Sequence, residues 1–170
     1  MLWRTHFLAG AALGIALSSG HDPKALALSA FVAGVAALLP DLDDPRSFLG
    51  RKAWPVSAGL KLAAGHRGAM HSLAAALVAS AVLGFFLRSP VPEAFYLLLA
   101  GYLSHLLLDT LNPAGVPWLW PLKFRFRVPV VEVGSAVERL VLVPALFFLC
   151  AWLWFHSCPS IFTLAGRCVR

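Results

Sequence analysis

Charge is what this chain has least of. Only 13% of its 170 residues are Asp, Glu, Lys or Arg, while 59% are hydrophobic. A soluble domain carries about 25% charged and about 45–50% apolar residues. With so few polar side chains, a folded chain of this size would have too little polar surface to cover a water-soluble core. Cysteine is scarce too. Cys150, Cys158 and Cys168 do not have the spacing of a zinc ribbon. Cys150 is expected to be a buried small apolar residue, and the other two fall where a disulfide is chemically open to them. Phosphate-cradling glycine loops, a dinucleotide fingerprint and a serine-nucleophile elbow are all missing, as are internal repeats and low-complexity linkers. The surplus of apolar residues, with a mean hydropathy of +0.77, points to one membrane-embedded domain over residues 1–170.

Five apolar stretches run roughly over 5–19, 25–39, 71–87, 94–111 and 139–156. The expected fold class is therefore all-α, a multi-pass transmembrane bundle of about five helices. The last three stretches approach the ~20 residues that span a hydrocarbon core; the first two are short and need extension, tilt or locally thinned bilayer. Asp22-Pro23 should open the second helix, with the aspartate as N-cap and the proline at the first helical position. Pro40 should close that helix, Pro90 and Pro92 mark the turn before the fourth, and Asn112-Pro113 ends the fourth. Arg4, the run Phe7–Leu17 and Ser18-Ser19-Gly20 imitate a signal peptide, but His6 belongs with the residues below and argues against removal.

The formal net charge is +6, and its placement matters more than its size. With five spans, the N-terminus, residues 40–70 and residues 112–138 share one side. Ten of the fourteen basic residues lie there: Arg4, Arg46, Arg51, Lys52, Lys61, Arg67, Lys123, Arg125, Arg127 and Arg139. The positive-inside rule then puts that side in the cytoplasm. These cations are read as orientation signals that also attract anionic headgroups, not as a nucleic-acid site. Trp118, Trp120 and Phe124 are expected in an interfacial aromatic belt.

Ionisable residues near a membrane are costly and need a reason. Antiparallel threading brings most of them to one face: His6 at the start of helix 1, Asp41, Asp43 and Asp44 after helix 2, His66 and His71 at the start of helix 3, His105 and Asp109 near the end of helix 4, and Glu132 and Glu138 just before helix 5. His105 and Asp109, four residues apart, share one helical face and can reach one cation. Three carboxylates on the turn Pro40–Pro45 oppose the helix macrodipole unless a divalent cation relieves them. Gly68 suggests that His66 lies in the preceding loop and His71 on helix 3, so that one can ligate while the other does acid–base work. Arg67 is placed to hold an anionic group such as a phosphate, although a positive-inside arginine is an equal account. Gly10 and Gly14 form a small-xxx-small pattern for close packing. Ser72 and Ser104 are read as hydroxyls that support helix packing.

At these residues the sequence resembles a known family. Leu39-Pro40-Asp41-Leu42-Asp43-Asp44-Pro45-Arg46-Ser47-Phe48-Leu49-Gly50, His66-Arg67-Gly68, His71-Ser72, Gly101-Tyr102-Leu103-Ser104-His105, Asp109, Pro113-Ala114-Gly115-Val116-Pro117 and Glu138-Arg139 are similar to the YdjM-like family. Its members are bacterial inner-membrane proteins described as membrane-bound metal-dependent hydrolases. The resemblance covers residue 6 to about 140. It implies a multi-pass hydrolase with a divalent cation, and the ligand order remotely resembles zinc-dependent phospholipase C and nuclease sites. That second likeness suggests Asp41 or Asp43, His71, His105 and Asp109 around one metal, with His6 sharing Asp109 with another. No further histidine pair follows, so a three-metal site is not expected, and Glu132 or Glu138 would contribute differently.

The expected function is hydrolysis of an ester or phosphodiester in a lipid or lipid-linked substrate, in the inner membrane with the site on the cytoplasmic side. The metal set is His6, Asp41, His71, His105 and Asp109; the catalytic set is Asp43, Asp44, His66, Arg67 and Glu138. Zinc is the expected cation, and manganese or magnesium also suit such donors. Membrane lipid is the expected partner, and nucleic acid is not. Two rivals stay open. A metal-ion or proton-coupled transporter would need polar groups through the whole membrane depth, of which there are few. A non-catalytic scaffold would use its metal only to tie helices together.

Overall fold

A computed structural model describes residues 1–18, 22–55, 57–59, 68–122 and 124–157. Among them there are helices and connecting turns but no strand; one isolated antiparallel bridge joins Val116 and Phe126. The order is α1 (Trp3–Leu17), α2 (Pro23–Ala36), a 3-10 turn (Leu39–Asp43), α3 (Phe48–Lys52), a second 3-10 turn (Ala69–His71), α4 (Leu73–Leu87), α5 (Ala94–Thr110) and a π-helical turn (Glu138–Leu142) that runs into α6 (Val143–Ser157).

Helix α1 is the hub and packs on α2, α5 and α6; α5 also packs on α2 and α4. Small residues allow this. A Cβ at Gly10 would strike the Ala33 carbonyl and the Ala37 side chain, and one at Gly14 would strike the Ser29 backbone. Gly101 of α5 meets the same Ala33 carbonyl. The backbones of α1 and α5 thus both lie directly on α2, as small-residue packing permits.

The bundle is apolar outside. Phe86, Phe148 and Leu140 are 74%, 69% and 76% exposed, and α6 has no buried residue at all. The buried interior includes His6, His71, His105, Asp43, Asp109 and Glu138 beside Leu26, Leu97, Tyr102 and Leu106. This reverses the distribution of a soluble protein, in which such charged residues are almost never fully buried unless paired.

Several expectations change. Asp22 does cap α2, its Oδ2 accepting from the amides of Lys24 (3.1 Å) and Ala25 (3.2 Å). Pro40 does not close the helical run, because it sits early in a 3-10 turn, where a missing N–H costs little. The second stretch therefore reaches 21 residues, Pro23–Asp43. With the 20-residue Glu138–Ser157, it is one of two helices among the described residues long and apolar enough to cross a membrane. The third and fourth stretches are shorter, at 15 and 17 residues. Trp118 is not a belt residue. Its indole donates to Thr110 Oγ1 at 2.9 Å and packs on the Tyr102–Leu106 cluster, whereas Trp120 and Phe124 are exposed. Cys150 is only half-buried. Cys158 and Cys168 lie outside the described residues.

Candidate metal centre

The site forms where the ends of α1, α2 and α5 meet. His105 lies on the buried face of α5, one turn before Asp109. Its Nδ1 is 2.7 Å from the carbonyl of Ala37. A carbonyl only accepts, so Nδ1 carries a proton, and in the neutral ring Nε2 is then the atom that turns a lone pair inward. That nitrogen is 3.5 Å from Asp109 Oδ2 and 3.8 Å from Asp41 Oδ1.

His71 enters from the opposite side. Its 3-10 turn is held by Tyr102, whose hydroxyl donates to the Met70 carbonyl at 2.6 Å. The next residues are fixed by the Leu73 amide donating to the Trp118 carbonyl at 2.9 Å and by Ser72 Oγ accepting from the Ala75 amide at 3.2 Å. His71 Nε2 then lies 3.9 Å from Asp41 Oδ1 and 4.0 Å from Asp109 Oδ2. Its Nδ1 faces Asp43 Oδ2 at 3.5 Å.

Four donor atoms therefore converge, Nε2 of His71 and His105, Oδ1 of Asp41 and Oδ2 of Asp109: Asp41, His71 and His105 have donor atoms mutually close enough for a metal, and Asp109 Oδ2 approaches both histidine nitrogens. Their four cross-separations of 3.5–4.0 Å are too long for good hydrogen bonds. They lie near the edge of a tetrahedral metal site, about 3.4 Å for ligand bonds of about 2.1 Å. Nε2 of both histidines is buried without a hydrogen-bond partner, a state that costs free energy unless something else takes the lone pair. The donor set fits a divalent cation. Asp41 is the most open of the four, its side chain 23% exposed, so the centre opens on its side.

His6 is 3.3 Å from the other Asp109 oxygen, Oδ1, and its ring stacks on His105 with centroids 3.8 Å apart. His6, His105 and Asp109 form a second group with donor atoms close enough for a metal. Asp109 Oδ1, however, also contacts the Met1 amino group at 2.6 Å, and His105 has a single inward nitrogen to give. The two groups share His105, and His6 lies beside the four converging donors.

The structure thus gathers His6, Asp41, Asp43, His71, His105 and Asp109. Two predicted catalytic residues stand apart from this group. Asp44 Oδ1 accepts from the Arg46 amide at 3.0 Å in a local turn. Glu138 is fully buried, but its oxygens accept from the Leu2 amide (2.6 Å), Thr5 Oγ1 (2.8 Å) and the Gly134 amide (2.6 Å). These bonds clamp the start of α1 to the turn before α6. Glu132 is exposed, and His66 and Arg67 lie outside the described residues. Ser104 donates to the Gly101 carbonyl at 2.7 Å within its own helix. Tyr102 had not been singled out for a positioning role. It shares a face with His105 and Asp109 at the i, i+3, i+7 spacing, the sequence signal that could have found it.

The comparisons agree with the resemblance read from the motifs. The family model described as "YdjM inner membrane protein" matches residues 1–167. The chain is 42% identical over 132 residues to Inner membrane protein YdjM of Escherichia coli (strain K12) and, equally, of Shigella flexneri, covering 72% of this chain. It spans 64% of the length of those two relatives. It is 33% identical over 165 residues to Uncharacterized protein YvsG of Bacillus subtilis (strain 168), covering 92% of this chain and 98% of that protein. No solved structure matches. A family model matched almost from end to end, above an apolar exterior wrapped around buried histidines and carboxylates, makes this chain an inner membrane protein of the YdjM family.

Proposed function

We propose that the chain is a multi-pass, membrane-bound, metal-dependent hydrolase acting on an ester or phosphodiester of a lipid or lipid-linked substrate. The observation that carries the reading is the tetrad: two buried imidazole nitrogens without hydrogen-bond partners, converging with two carboxylate oxygens at near-ligand separations. Asp41, His71, His105 and Asp109 hold the cation, zinc by donor type, with manganese or magnesium also suited. A divalent cation bound there would supply Lewis acidity and lower the pKa of bound water.

The chain's own residues do the rest. Ala37 fixes the proton on His105 Nδ1, and the Asp43 carboxylate lies 3.5 Å from the far nitrogen of His71, where a small approach would give the support usual behind a ligating histidine. Asp43 is turned to the rear of His71 and Asp44 to Arg46, so His66 is left as the candidate general base, with Arg67 beside it in sequence to steady an anionic group. The side carrying ten of fourteen basic residues is cytoplasmic by the positive-inside rule, and the tetrad sits at that end of the helices. There, at headgroup depth, the exposed edge of Asp41 offers access.

The test is metal content. Protein purified in mild detergent should carry near-stoichiometric metal by elemental mass spectrometry, and His105→Ala and Asp109→Ala proteins that still fold should lose it. A screen of lipid phosphodiesters and esters with wild type and the two variants then tests turnover. A folded wild type that takes up no zinc, manganese or magnesium would sink the reading, and metal uptake into proteoliposomes without hydrolysis would replace it with transport.

A further inference from the structure

A cavity with two arginines in its wall lies outside the tetrad, at the seam between α1 and the π-helical turn before α6. Its volume is about 360 Å³, and Leu2, Trp3, Arg4, Arg139 and Val143 line it, within the range of about 300–1,000 Å³ usual for small-ligand sites. Two features of the fold set the arginines together. Glu138 turns inward and grips the Leu2 amide and Thr5 hydroxyl, which ties the start of α1 to the turn. Arg139, the next residue, is exposed and runs past Gly134, where a Cβ would crowd its Nη2. The turn is π-helical, a local insertion often found at functional sites.

Among the described residues the two guanidinium groups are not tied up by ion pairs, although the Glu138 carboxylate lies in the same seam. Arg4 lies over the Trp3 ring at 5.6 Å, but neither Arg4 nor Arg139 has an ion pair with a carboxylate among the described residues. Below the arginines the wall is apolar, from Val143 into the exposed face of α6, where Phe147 and Phe148 are 58% and 69% exposed. Two arginines lining one cavity with Val143, at the start of an apolar helix, match a molecule with an anionic phosphodiester head and an acyl tail, since arginine binds phosphate oxygens in pairs.

We infer that Arg4 and Arg139, with Trp3, form a binding cradle for the phosphodiester headgroup of an anionic phospholipid, whose acyl chain lies along α6. This inference does not rest on the hydrolase reading and would stand if the tetrad held no metal.

Native mass spectrometry in mild detergent tests it, with phosphatidylglycerol, phosphatidylcholine and free glycerol 3-phosphate as probes. Wild type should bind phosphatidylglycerol about tenfold more tightly than phosphatidylcholine, and should not retain glycerol 3-phosphate. The Arg4→Gln/Arg139→Gln protein should lose about tenfold in phosphatidylglycerol affinity with metal content unchanged, while Arg51→Gln/Lys52→Gln on α3 should not. An equal loss in both double variants would overturn the cradle in favour of diffuse surface charge. Retention of glycerol 3-phosphate would overturn the lipid as the source of the phosphate. An Arg4→Lys/Arg139→Lys protein keeps fold and charge but not the fork. The cradle predicts binding weakened by roughly three- to tenfold, and unchanged binding would refute it.

Discussion

Gly101 rests on the carbonyl of Ala33, and one turn further along both helices His105 bonds the carbonyl of Ala37. The two contacts are in register, each four residues on from its neighbour. Close backbone approach at the glycine therefore places the imidazole at the carbonyl that sets its tautomer. Adding a methyl group at Gly101 should push α5 away from α2. Gly101→Ala is expected to cost about 1–3 kcal/mol, as overpacking does, and to lower bound metal with every ligand still present. Thermal unfolding in detergent and elemental analysis check both parts.

Asp41 and Asp43 face opposite nitrogens of His71 and should behave differently. Asp41→Asn removes a donor from the tetrad and should abolish stable metal retention. Asp43→Asn leaves four donors and loosens only the histidine's support, which typically costs 10- to 100-fold in affinity. Competition with a graded series of chelators would distinguish the two; equal losses would contradict the assignment.

Glu138 should act on folding, not on chemistry. Glu138→Ala strands the buried Thr5 hydroxyl, at about 1–3 kcal/mol, and the part-buried Leu2 and Gly134 amides at a smaller cost. A large drop in thermal stability is expected. Glu138→Gln, which keeps one acceptor oxygen, should recover part of it. A fully stable Glu138→Ala protein without activity would restore the catalytic role read from sequence.

The exposed apolar face of α6 is read as facing lipid. Phe148→Arg places a charge within a spanning helix, at about 2.5–3.5 kcal/mol on insertion scales if near the bilayer centre. The membrane-inserted fraction after alkaline extraction should fall, whereas Glu132→Arg in the exposed connection should leave it unchanged.

Chelation gives the last prediction. If the cation relieves repulsion among Asp41, Asp109 and their neighbours, its removal leaves the two Nε2 atoms without partners and the carboxylates crowded. A chelator should lower the melting temperature of wild type, and zinc should restore it, because a ligand that binds only the folded state stabilises it by mass action. His105→Ala protein should show neither shift.

Much of the site was legible in the sequence because membrane helices have simple geometry. If apolar stretches run antiparallel, ionisable residues at alternate ends share a face, and His105 and Asp109 four residues apart share a stripe. The cap at Asp22 and the glycine packing of α1 were local consequences of residue type, and the helical class followed from composition. Only tertiary structure could separate Asp41 from Asp43, because a 3-10 turn and the angle at which His71 arrives decide which carboxylate meets which nitrogen. It likewise showed Glu138 bonded to the start of α1, by hydrogen bonds to Leu2 and Thr5 that join residues more than 130 positions apart. Residue type and spacing determine what a side chain is able to bind; which partner it meets depends on backbones brought together from distant parts of the chain, here by Gly10, Gly14 and Gly101.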